Sequence, residues 1–137
     1  MTTTIEDKEL NRELMELTLI GKNWLSELDL LEKDIQDLRR SYVKCLSRSS
    51  EADNYKGADE VLFLFERVSA ILDAVRIDAQ SYLAFIATLI EQPDTLYDLS
   101  LVENHFRIEV KLKDLLRAFN AVKQMAGKIN TINSDCD

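Results

Sequence analysis

Leu10, Leu14, Leu17, Gly21, Trp24, Leu28, Leu31, Ile35, Leu38, Tyr42 and Cys45 follow one another in alternating steps of four and three residues. Val61, Phe65, Val68, Leu72, Val75, Ala79, Tyr82, Ile86 and Leu89 repeat the pattern. So do Leu101, His105, Ile108, Leu112, Leu115, Phe119, Val122, Ala126 and Ile129. Steps that average about 3.5 residues keep one seam of a helix turned toward a neighbouring helix. The chain holds only 3 Gly and 1 Pro, so turns are few and the elements must be long. The expected fold is all-α: an antiparallel bundle of three long helices, up-down-up, in one domain spanning 1–137.

The helices are expected at about 4–46, 54–92 and 101–129. Thr4, with Asp7 three residues later, suits the first N-terminal cap. For the second helix either Ser50, with Asp53 three residues on, or Asn54 can cap; it ends before Pro93, which bars the preceding residue from helical geometry. Leu62, Leu83 and Ile90 on one flank and Leu64, Ile71 and Phe85 on the other widen its apolar face, which marks the most buried helix. Ser100-Leu101-Val102-Glu103 reads as a capping box for the third. Residues 130–137 are expected to fray. The links are short, which makes successive helices antiparallel neighbours. The second has room for a short turn around Thr95-Leu96-Tyr97.

Composition narrows the functions. The chain is 46% hydrophobic and 31% charged, with no run of 18 apolar residues, so no segment is expected to span a membrane. Met1 to Lys8 lacks the basic and apolar regions of a signal peptide. Cys45 and Cys136 have no metal-ligand spacing and are expected to be reduced thiols in a cytoplasmic protein. A net charge of −8 argues against nucleic acid or an anionic membrane as partner and leaves room for basic ones.

Candidate chemistry is sparse. His105 is the only histidine, and it falls on a seam. A phosphoryl-accepting histidine would carry Lys and Gly three and four residues later; Ile108 and Glu109 stand there instead. A di-iron site needs Glu-x-x-His on two helices, whereas Val102 precedes His105 by three and no seam position is acidic. Cys45 and His105 fall near opposite ends of the bundle, too far apart to act together. Arg39, Arg40, Lys44, Arg48, Lys123 and Lys128 gather at one end, where basic residues complement helix C-termini and Glu51, Asp53, Asp59 and Glu60 break up the positive field. No catalytic residue, cofactor or metal is expected.

Trp24-Leu25-Ser26-Glu27-Leu28, followed by Leu31 to Leu38, resembles the first helix of small acidic bacterial helical proteins, and Val102 to Phe106 is similar in character. The resemblance implies an all-helical fold and transfers no activity or site residue.

The expected function is therefore a non-enzymatic interaction or scaffold protein that self-associates, most simply as a homodimer, or docks a protein partner. Met15 and Leu19, four residues apart and off the first seam, and Phe106 and Val110, likewise placed on the third, should gather with Phe85 and Tyr97 toward one end as an apolar patch. Two readings of that patch stand: it is a contact surface, or the 94–99 loop folds over part of it. The alternative function is a signalling or ligand-binding module, using His105 or a cavity left by Gly21 that a Trp24 or Tyr82 ring could fill.

Overall fold

The structure, a computed structural model, describes residues 5–48, 57–92 and 99–132. They form three α-helices: α1 (Ile5–Arg48), α2 (Ala58–Glu91) and α3 (Leu99–Ile132). Contacts between them run antiparallel. Trp24 meets Tyr82 and Tyr42 meets Phe65, so α1 and α2 run in opposite directions. Tyr82 meets His105 and Asp78 meets Lys111, so α3 reverses α2. The architecture is the all-α, up-down-up bundle that the three seams require.

The seams form the core. Every seam residue of α2, from Val61 to Leu89, is buried. On α1 the residues at every seventh position, Leu14, Gly21, Leu28, Ile35 and Tyr42, are buried, together with Trp24 and Cys45; Leu10, Leu17, Leu31 and Leu38 are half-buried. One cluster surrounds Leu28, Ile35, Tyr42, Phe65, Leu72 and Leu115, and a second surrounds Leu14, Trp24, Tyr82, Ile86, Leu101 and Ile108. Leu112 packs against both.

The ends differ from expectation. α2 starts at Ala58, not near residue 54. Gly57 takes φ 87°, a left-handed conformation that costs glycine little, and its carbonyl accepts the Val61 N–H at 3.0 Å. α2 closes at Glu91, and the Gln92 N–H donates to the Thr88 carbonyl at 2.9 Å. α3 begins at Leu99, so Ser100 is a helical residue and not the cap; Asp98, before it in sequence, is itself a favoured N-cap type. α3 also runs to Ile132, beyond its expected end at residue 129. The proposed caps Thr4, Ser50 and Asn54, the turn at Thr95 to Tyr97, and Cys136 lie outside the described residues.

Gly21 leaves no hole. A Cβ there would lie 2.6 Å from Leu83 Cδ2 and 3.0 Å from Leu83 Cγ, with Tyr82 Cδ1 at 3.5 Å. The α2 flank fills the space that the missing side chain opens, which corrects the expectation of a cavity. Between α1 and α2, Arg76 donates to Asp29 at 3.0 Å and to Glu32; within α2 it donates to Asp73 at 3.4 Å. Glu32, through its hydrogen bond foremost, and Asp29 raise the Arg76 pKa.

Candidate functional site

Heptad position and cross-helix contacts together fix which flank of each helix turns toward which neighbour. Asp29, Glu32 and Arg39 of α1 reach Arg76 and Glu66 of α2. The flank of α1 that carries Ile20, Glu27 and Leu30 is therefore the one turned toward α3. On α3, Lys111 bonds Asp78 of α2, and Ala118 and Ala121 line a groove of about 300 Å³ with Leu64 and Ile71 of α2. The opposite flank of α3, with Phe106 and Leu116, borders α1.

This separates the residues expected to form one patch. Met15, Leu19, Phe106 and Val110 are each more than half exposed. They stand on different faces, however. Met15 shares its heptad position with Asp29, on the flank nearest α2. Leu19 and Val110 point directly away from the core. Phe106 borders the α1/α3 groove. Trp24 and His105 mark one level, with ring centroids 5.0 Å apart. Measured from that level, Leu19 and Val110 lie about ten residues, or roughly 15 Å, apart along the bundle. Phe85 is half-buried against the Trp24 cluster and belongs to the core. Tyr97 lies outside the described residues, as does the loop proposed to cover the patch.

The surface that does line up is the α1/α3 groove. Ile20, Phe106, Leu30 and Leu116, alternately from α1 and α3, are exposed large hydrophobic residues. Counted from the Trp24–His105 level they follow at about five-residue intervals, or roughly 7–8 Å. The α1 rim carries Glu13, Glu16, Glu27, Asp34 and Asp37, all exposed; the α3 rim carries Lys113 and Lys123. Reading each helix alone pointed to Phe106 and missed its neighbours. Ile20 and Leu30 lie ten residues apart, an interval that reads as no strip on α1 alone.

His105 is structural in its contacts. Its side chain is 16% exposed. Nδ1 lies 2.9 Å from the Tyr82 hydroxyl and Nε2 lies 3.0 Å from Glu109 Oε1. A carboxylate only accepts, so Nε2–H donates to Glu109; in the neutral ring Nδ1 then accepts from the Tyr82 O–H. Trp24 stacks obliquely against both Tyr82 and His105. A phosphoryl donor would have to displace Tyr82 or Glu109 to reach either nitrogen. The Glu109 partner was legible in the i, i+4 spacing; Tyr82 depends on the packing of α2 on α3.

The remaining candidates stay apart. Cys45 is buried twenty-one residues along α1 from Trp24, so the helix rise holds it roughly 30 Å from His105. Arg39 faces Glu66 and Arg40 faces Asp37, each at 3.7 Å, which breaks up the basic cluster. Among the described residues no three His, Cys, Asp or Glu side chains are placed to hold a metal ion, and no helix is long and apolar enough to cross a membrane. No protein-family model matches the chain, and neither the curated proteins nor the solved structures include a match to it.

Proposed function

We propose that this protein is a non-enzymatic helical interaction module that seats a partner helix in the α1/α3 groove. One observation carries the reading: Ile20, Phe106, Leu30 and Leu116 are exposed large hydrophobic residues, which helix rise sets in line beside a seam that is already packed. A helix lying along the groove would bury all four, as apolar stripes at i, i+3, i+4 and i+7 do in helix-in-groove recognition. The acidic α1 rim favours a partner with basic residues beside its apolar stripe. The alternative of a signalling or ligand-binding module loses support from the engaged His105 nitrogens and the filled space at Gly21.

The test uses a peptide of repeating Leu and Lys heptads as the probe and the variant Leu30→Glu/Phe106→Glu, both of whose side chains are exposed. Titration calorimetry is expected to show binding to the wild type and at least about tenfold weaker binding to the variant, a loss of about 1.4 kcal/mol. Unchanged helicity in the variant would exclude unfolding as the cause. Equal binding to both chains would remove the groove as the docking site.

A further inference from the structure

A different surface carries a second inference. The row of α2 that points directly away from α1 and α3 runs Phe63, Ala70, Ile77, Ala84 and Glu91, each seven residues from the last. Phe63 is 61% and Ile77 62% exposed. The matching rows of α1 and α3 are broken by charge: Arg12, Lys33 and Arg40 on α1, Glu103 and Arg117 on α3. On α2 the row carries no charge from Phe63 to Ala84 and ends in Glu91. Of the flanking exposed positions, Ala74, Gln80, Ser81 and Ala87 are uncharged, and Glu66, Arg67 and Asp73 carry charge. A heptad row of large and small apolar residues is the surface that a helix presents to another helix.

We infer that this row is a self-association surface, on which α2 of a second copy packs antiparallel across a two-fold axis midway between residues 73 and 74. Size chooses the occupant. Reversal about that point sets Phe63 opposite Ala84 of the second copy and Ala70 opposite Ile77 of the second copy, and each pairing recurs by symmetry. All four contacts join a large side chain to a small one, which is how facing helix positions interdigitate. Ala74 lies beside the axis, where a small residue lets two backbones approach. Asp73 is the charge nearest the axis, so the two-fold brings it beside Asp73 of the second copy, and each of the two is paired with its own Arg76 at 3.4 Å. The contact would run from Phe63 to Ala84, about 32 Å of helix, and the seven-residue repeat suits a left-handed supercoil. A two-fold pair of this kind is closed and self-limiting, and it leaves the α1/α3 groove open.

Sedimentation equilibrium on the full chain tests this with three variants at exposed positions. The wild type is expected to dimerise at sub-millimolar concentration. Ile77→Lys should be monomeric with unchanged helicity. Ala84→Phe should weaken the dimer by about tenfold or more, because Phe would face Phe63 of the second copy where only Ala fits. Adding Phe63→Ala to Ala84→Phe should restore association, since the large and small partners have merely exchanged places. A monomeric wild type overturns the inference. So does an Ala84→Phe dimer tighter than the wild type, which would indicate unspecific apolar adhesion, or a double variant that fails to recover. If Leu30→Glu/Phe106→Glu abolishes the dimer while Ile77→Lys preserves it, the second copy occupies the groove and this surface is wrong. Peptide binding that survives Ile77→Lys separates this outcome from the fate of the groove proposal.

Discussion

Tyr42 is fully buried against Phe65, and its hydroxyl finds no hydrogen-bond partner among the described residues. A buried hydroxyl left unpaired has lost its water without replacement, at a cost of about 1–3 kcal/mol. The ring fills the seam, so removing only the oxygen keeps the packing. Tyr42→Phe is therefore expected to raise stability by about 1 kcal/mol in thermal or urea denaturation at neutral pH. Burial also raises the Tyr42 pKa above the ordinary tyrosine value. The folded chain then holds that proton more tightly than the unfolded chain. The resulting contribution is whole below the ordinary tyrosine pKa and is lost as pH rises from there through the raised value. Part of the alkaline loss of stability should thus disappear in Tyr42→Phe. A variant less stable than the wild type at neutral pH would mean that the hydroxyl does have a partner.

α2 is the element on which the bundle depends. It packs against both other helices, buries each of its seam residues, and uses its two flanks against α1 and α3. Leu72 anchors one apolar cluster and Ile86 the other, and both are almost wholly inaccessible. Leu72→Ala and Ile86→Ala should each cost about 2–5 kcal/mol, with the spread set by how far the neighbours collapse into the space. Chemical denaturation measures this directly, and a cost below about 1 kcal/mol at both positions would contradict the central placement of α2. α2 begins just after Gly57, the one described residue with positive φ. The apolar pattern alone could not place that start, because Val61 begins the seam several residues later and the polar stretch before it offers several cap residues.

At the scale of the molecule the two core clusters share Leu112 and are threaded by the same three helices. Neither can lose its packing without freeing helices that the other holds, so unfolding should be one cooperative transition. Trp24, the only tryptophan, reports on the second cluster, while far-ultraviolet circular dichroism reports on all three helices. Their urea midpoints should coincide. A Trp24 transition that precedes the loss of helicity would show that the Trp24–His105 half opens by itself.

The sequence by itself determined the helical class, the three seams and the number of long helices. Each of these depends on residue spacing along one helix, and spacing is local information. The half-buried place of His105 was legible in its seam position, and its Glu109 contact in the spacing of four residues. Tertiary structure decided everything that depends on how one helix stands against another. The filling of Gly21 by Leu83 required the approach of α1 to α2. The dispersal of Met15, Leu19, Phe106 and Val110 over separate faces required the cross-helix contacts of Arg76 and Lys111, which show the flank each helix turns to its neighbour. The alignment of Ile20, Phe106, Leu30 and Leu116 required the axial level shared by Trp24 and His105, because half of that strip comes from each of two helices more than fifty residues apart in the chain. A heptad pattern tells each helix which face to bury; only packing fixes the relative height and rotation of its neighbours, and it is these that turn isolated exposed residues into a surface.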